Sequence, residues 1–455
     1  MSEAQRVWMK EAFGIEIPIG AGEEDETEAP DGEGPRKFAK GGKGGKGKGE
    51  GNGADGTAKP TAPVAKPSSP PPSGATPTPP TAPAPGDPDV DAAIKAFRDE
   101  AEAIKKLGFD TKRMESDAAD FAKAAEAAKK QADAKTRQDA LAAIKKRAEE
   151  ALEHAKALSA SFKSIMGDKK DKPDSAQKSA IYKKALEDLY GLKIKVPKGF
   201  KNTHFDRVFD MFGTVPKGHV KQDQLKKLTY SKKAEDKGSG AFGSTEIEMG
   251  DFGKAKDKED YQIDGKKIPA NSFDVTTLHE IGHSVDEKNG IMTKNQAKPG
   301  CGGWKNENVA SVTTIFLAEL KKTAKPSKKV TDAMLKDVVA AALRDGTTDQ
   351  PDKIADDDWQ KIINFLVDKC LAIRSDADPW FADSQVVIGD RVYQEAYDND
   401  WWSYAFAARA TTRVNDYQWR SPAEWFAEVY AISWLSKKKP PSGVDPAVVE
   451  FMWKG

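Results

Sequence analysis

A chain of 455 residues with 38% hydrophobic and 32% charged side chains carries too little apolar surface to be packed along its whole length. Lys+Arg and Asp+Glu both number 72, so the formal net charge is zero, which excludes a global electrostatic pull toward nucleic acid or an anionic membrane. The only two cysteines, Cys301 and Cys370, exclude a disulfide framework and a C-x-x-C metal knuckle, and both are expected to be buried, idle thiols.

In chain order, Val7, Trp8, Ala12, Phe13 and Ile15 give residues 1–19 the pattern of a short amphipathic segment that could dock on a partner. No basic head and unbroken apolar run stand there, and no apolar stretch is long enough to cross a bilayer. The expectation is a protein made in the cytoplasm without a Sec signal peptide and exported, if at all, by a signal-free route. Residues 20–88 join an acidic run from Glu23 to Glu28, a Gly/Lys tract from Lys40 to Lys48 and a Pro-rich tract through Pro85. Such compositions bury too little to offset chain entropy, so a disordered linker is expected. With no aromatic interleaving and acid beside it, the lysine tract is read as solvated and not as a specific nucleic-acid site.

Residues 89–166 turn helical. Val90, Ile94, Phe97, Ala101 and Ile104 alternate by four and three, and Leu141, Ile144, Ala148, Leu152, Ala155 and Leu158 repeat the seam. Leu107-Gly108-Phe109-Asp110 breaks the run, so two or three antiparallel helices are expected, as a stalk or partner-binding element. His154, among charged neighbours, is expected to be exposed.

From 167 to 455 the composition changes again, and nine of the ten tryptophans lie from Trp304 onward, which places a substantial core there. Ala180–Tyr190 reads as a helix, and Phe205, Val208, Phe209 and Phe212 give a second helical face. Thr245 to Met249 alternates polar and apolar as a half-buried strand does. Ile247, Glu248 and Met249 are therefore expected to align a peptide by strand addition. Three further helices are expected at Val309–Lys321, Thr331–Leu343 and Trp359–Ile373, and Trp401 and Trp402 are expected to help shape a specificity pocket.

The chemistry lies between these parts. Thr277-Leu278-His279-Glu280-Ile281-Gly282-His283-Ser284-Val285-Asp286 contains H-E-x-x-H on a helix that Leu278, Ile281 and Val285 give a buried side. Residues four apart stand nearly one above the other, so both imidazoles can close on a single ion, and Glu280 faces the same open edge as a general base. Zinc suits such a set, but it needs a third protein ligand. Positions 284–290 hold no histidine, which excludes the metzincin pattern and leaves a carboxylate. Ser421-Pro422-Ala423-Glu424 fits a helix start in which Glu424 could close a capping box. Yet Glu424 and Glu428 stand four apart on a helix rich in Trp425, Phe426, Val429 and Tyr430. Two carboxylates there are costly unless paired or bound to metal, and one could bind zinc while the other holds a histidine ring. Glu307, Glu319 and Glu395 are the other carboxylates considered in the interval.

HEIGHSVD followed by Tyr417-x6-Glu424-x3-Glu428 resembles the catalytic domain of the anthrax lethal factor family, zinc peptidases of the gluzincin type. The resemblance spans residues 198–436 and rests on these two motifs; the interval between His283 and Glu424 is longer than the family's. It implies one Zn2+ per chain on His279, His283 and Glu424, with Glu280 as general base. It further implies a Tyr417 phenol near the developing oxyanion, Glu428 behind the ligands, and Asp286 as a supporting acid.

The expected fold class is therefore α+β. A zincin-like metallopeptidase domain with a helical insert spans 167–455, preceded by the antiparallel helices and the disordered region. The expected function is zinc-dependent endopeptidase action on protein or peptide substrates, in a modular chain of the kind used by bacterial effectors and toxins. The alternatives are a catalytically inactive binding module on the same fold, or a helical interaction scaffold.

Overall fold

The computed structural model describes residues 89–167, 171–198, 204–231, 240–243, 245–250, 258–345, 349–371, 385–395, 401–436 and 440–454. The segment expected at 1–19 and the linker expected at 20–88 lie outside the described residues. The described chain mixes helix and strand, an α+β class in which helix predominates.

Three helices come first: α1 (Val90–Lys106), α2 (Lys112–Lys129) and α3 (Ala134–Met166). Asp89 caps α1 by accepting from the Ala92 N–H, and Asp133 caps α3 by accepting from Thr136. Gly108, at φ +94°, makes the reversal between α1 and α2 that a side chain would strain. At one end these helices share a small core of their own, with Val90, Ile94, Leu141 and Ala148, and at the other they pack into the rest of the molecule. Phe97, Ala101, Leu158 and Phe162 belong to the same apolar core as Leu278 and Trp425, far along the chain.

His154 of α3 lies at that junction. It is 5% exposed, contrary to the expectation of a surface residue. Its ring stacks on Phe209 with centroids 3.7 Å apart, and its Nδ1 lies 2.9 Å from the Tyr190 hydroxyl. A β-carbon at Gly213 would come within 2.6 Å of that ring, so the glycine makes the room. Burial pushes the imidazole pKa down to about 3, leaving it neutral at pH 7.

Next come α4 (Ser175–Tyr190), begun by an Asp174–Gln177 capping box and ended by Gly191 in the left-handed region, then β1 (Lys193–Lys195) and α5 (Phe205–Thr214). Strands β2 (Lys227–Tyr230), β3 (Gly240–Gly243) and β4 (Glu246–Met249) complete a sheet of order β1-β2-β4-β3. β1, β2 and β4 run parallel, and β3 is antiparallel at the edge. The hairpin β5 (Lys258–Ile263) and β6 (Lys266–Asn271) leads straight into α6 (Ser272–Asn289).

The substrate-aligning role expected for Ile247, Glu248 and Met249 does not survive this topology. β4 is paired on both sides, to β2 and to β3, so it has no edge to offer. Ile247 and Met249 point into the core at 1% and 0% exposure, and the Glu248 carboxylate accepts from Ser231 Oγ. The edge strands are β1 and β3, and among the described residues no strand pairs with the outer side of β3.

The long interval after α6 holds a second unit. It comprises β7 (Lys305–Glu307), α7 (Val309–Thr323), α8 (Asp332–Asp345), α9 (Asp356–Phe365), β8 (Val386–Ile388), β9 (Arg391–Glu395) and β10 (Trp401–Ala405). The first two helices match expectation; the third is α-helical only to Phe365 and continues as a π-helical segment over Leu366–Leu371, and the antiparallel sheet β7-β10-β9-β8 was not foreseen. Its two faces serve two cores. Val392 and Tyr404 face the main core, whereas Tyr393 and Trp401 pack with Phe316 and Ile362 in a separate core of the insert. Cys301 and Cys370 are both free and buried. The chain closes with a 3-10 turn, Tyr417–Arg420, then α10 (Pro422–Ser436) and α11 (Pro446–Lys454). Among the described residues no helix is long and apolar enough to cross a membrane.

Candidate metal centre

α6 is set by its ends and by one glycine. Asn271 caps it, accepting from the Phe273 and Asp274 N–H groups, and Gly290 ends it in the left-handed region. Asp274, an acid in the first turn, takes a two-pronged ion pair at 2.8 and 2.6 Å from Arg207 of α5. Leu278, Ile281 and Val285 are fully buried beneath. On the next face Gly282 meets α10, where a β-carbon would stand 3.0 Å from the Ala427 Cα.

That close approach brings four sequence-predicted side chains together. His279, Glu280 and His283 present ligand atoms within 4.8 Å of one another, a group that could hold a metal ion. The two Nε2 atoms are 2.9 Å apart. Glu424 Oε2, from α10, lies 3.0 Å from the Nε2 of His279 and 3.3 Å from that of His283. Glu424 leaves the capping box unclosed: Ser421 Oγ accepts its backbone N–H, while its carboxylate turns to the imidazoles. One turn on, Glu428 Oε1 lies 3.0 Å from His279 Nδ1. Asn415 Nδ2 donates to the other Glu428 oxygen at 2.7 Å, a support that sequence reasoning missed. Its only signal was a short amide two residues before Tyr417.

The charges answer one another. Burial pushes the Glu280 carboxyl above its ordinary value, against the pull of both histidines. Burial also opposes ionisation of Glu424, but the His283 and His279 imidazoles outweigh it and hold that carboxyl far below the usual range. At His279 burial likewise resists charge, and the Glu428 and Glu424 carboxylates overcome it, raising the imidazole well above normal. The site therefore draws positive charge to the point where Glu424 and the two Nε2 atoms meet.

These groups open on a cleft of about 380 Å³. Gly240, Ala241 and Phe242 of β3 line it together with Tyr417, Ala423, Asp286 and Glu287. The Tyr417 ring lies beside His279, centroids 5.8 Å apart. A β-carbon at Gly240 would stand 3.1 Å from Glu280 Oε1, so β3 runs directly past the acid. Asp286 accepts the Met292 N–H at 2.8 Å and fixes the chain leaving α6.

Four other residues that the sequence brought into consideration are elsewhere. Glu307 is held in the insert sheet by the hydroxyls of Ser403 and Ser311, and Glu319 by Lys322. Trp401 is 2% exposed in the insert core, and Trp402 packs 6.3 Å from Trp304; neither lines the cleft, so the tryptophan pair does not shape a pocket there. Comparison of the chain with protein-family models, with curated proteins and with solved structures found no match.

Proposed function

We propose that this chain is a zinc-dependent endopeptidase built on a zincin-like fold of the gluzincin type, similar to the lethal factor catalytic domain. The observation that carries the reading is the convergence of Glu424 Oε2 on both Nε2 atoms. That oxygen is buried and makes no hydrogen bond, although two nitrogens stand at 3.0 and 3.3 Å. A buried carboxylate oxygen without a hydrogen bond is costly, and a shared cation accounts for it. Two imidazoles and one carboxylate form the donor set of a catalytic zinc with a position left open. The residues fit the ion; His279, His283 and Glu424 would hold it.

Bound zinc would supply a Lewis acid that polarises a peptide carbonyl and eases deprotonation of a water. Glu280 performs the proton work. Its carboxyl, raised by burial, takes a proton from the attacking water and passes it to the leaving amine. Tyr417 donates its phenol to the oxyanion growing on the scissile carbonyl. Glu428, steadied by Asn415, stands 3.0 Å from His279 Nδ1, where its charge favours the ring state with Nδ1 protonated and Nε2 toward the ion. β3 takes over the part expected of β4: its outer edge offers backbone groups to an extended peptide along the cleft. An extended binding mode favours segments within a protein chain over free amino-terminal residues, hence an endopeptidase. The modular effector or toxin role and signal-free export remain part of this proposal, resting on the likeness alone.

The test is Glu280→Gln in the zinc-loaded protein against a quenched fluorogenic peptide library. The reading expects metal content to stay and hydrolysis to fall by about three orders of magnitude or more. Wild-type turnover in the variant would remove Glu280 as the base.

A further inference from the structure

The insert between His283 and Glu424 contributes no side chain to the ion, yet it reaches the one segment that carries Tyr417. β9 alternates its side chains between two cores. Val392, opposite Tyr404 in the ladder, faces the main core, and by the two-residue period so does Gln394, opposite Trp402. Gln394 is 4% exposed. A primary amide placed there is costly unless its hydrogen-bonding groups are used.

They are used on one target. Gln394 Nε2 donates to the carbonyl oxygens of Trp419 and Arg420, at 2.6 and 2.8 Å. Two carbonyl acceptors fix which end of the amide is nitrogen. Its Oε1 accepts from Gln385 Nε2, which also donates to Trp419 O at 3.2 Å. Gln385 Oε1 in turn accepts from Tyr404 and Arg409. The Trp419 ring fills the space beside them, 4.7 Å from Tyr404 and fully buried. The gripped carbonyls belong to the last two residues of the turn Tyr417–Arg420, whose first residue stands over His279.

We infer that the insert is a positioning device for Tyr417, in which the buried amide of Gln394 holds the turn that carries the phenol over the cleft. The inference rests on the proposed role of Tyr417 for its catalytic consequence, but not for its structural one. Gln394 is a positioning residue; it touches neither the cleft nor the ligands. Removing its donors takes this partner from the Arg420 carbonyl and leaves the Trp419 carbonyl only the longer bond from Gln385, which lets Tyr417 drift, and a misplacement on the order of 1 Å is enough to cost a large part of the rate.

The experiment uses full-length zinc-loaded protein and Gln394→Met, which keeps length and loses both donors. Hydrogen exchange of amides 417–420 should speed up by about tenfold or more, while α6 keeps its protection. Unchanged exchange at the turn would overturn the inference whether or not the protein is a peptidase. On the fluorogenic peptide library, kcat should fall by about tenfold with KM within about twofold, and the loss should vanish in a Tyr417→Phe background. Equal losses in both backgrounds would show that Gln394 does not act through Tyr417. If wild type hydrolyses nothing, the functional reading fails and the exchange result stands alone. Should Gln394→Met not fold, Gln385→Met carries the same two readouts, with the same outcomes for and against.

Discussion

Gly282 and Ala427 come so close that a β-carbon on Gly282 would stand 3.0 Å from the Ala427 α-carbon. Gly282 precedes His283 and Ala427 precedes Glu428, so this close contact between the two helices lies level with the candidate metal centre. The first prediction is that Gly282→Ala forces the helices apart. Overpacking of this kind costs about 1–3 kcal/mol. A chemical denaturation curve should show that loss, and zinc affinity should drop because Glu424 recedes from the imidazoles. An unchanged affinity would mean that the helix spacing does not set the ligand geometry.

The second prediction concerns Glu428. Its oxygen lies 3.0 Å from His279 Nδ1, on the side away from the proposed ion. Glu428→Gln should weaken zinc binding by about 10–100-fold, measured by competition with a chromogenic chelator. Asn415→Ala should shift affinity in the same direction by less, since it removes only the support of Glu428.

Tyr417→Phe supplies the third. The phenol is not among the donors that converge on Glu424, so zinc content should be unchanged. Turnover should fall by about 10²–10³, as for loss of one oxyanion donor, with KM little altered. A large rise in KM with kcat intact would instead make Tyr417 a substrate-binding group.

Much of the site could be read from residue type and spacing, because a helix converts a spacing of four into a shared face. His279 with His283 and Glu424 with Glu428 follow that rule on two different helices. Pairing order in a sheet has no such local code. The alternation of Glu246 to Met249 says which faces are buried but not whether the strand has a free edge, so the aligning strand was placed one strand away from β3. His154 failed for another reason: Glu153 and Lys156 suggested exposure, while its helical neighbours Ala151, Ala155 and Leu158 lie on the buried face. The insert sheet is built from strands of three to five residues whose side chains serve two cores, and such short segments carry little periodic signal.

A fourth prediction is a pH dependence of stability. His219 is 4% exposed, with Nδ1 2.8 Å from the Tyr430 hydroxyl. Burial first, and the cations Arg147, Lys288 and Lys146 next, push its pKa down to about 3. The unfolded chain, at about 6.5, then binds the proton that the folded state refuses. The contribution of neutral His219 is complete above pH 6.5 and is lost as pH falls from there toward 3. Between pH 7 and pH 5 the stability of wild type relative to His219→Gln should shrink by about 2 kcal/mol. A gap independent of pH, followed by urea unfolding, would mean that His219 titrates normally in the folded protein.

The central claim is that His279, His283 and Glu424 share one zinc ion. Elemental analysis of purified, zinc-reloaded protein tests it most directly, for wild type beside Glu424→Gln. One zinc per wild-type chain and a clear loss in the variant is the predicted result. Full zinc in both would place the third ligand elsewhere, and a folded wild type that takes up no zinc would contradict the metallopeptidase account altogether.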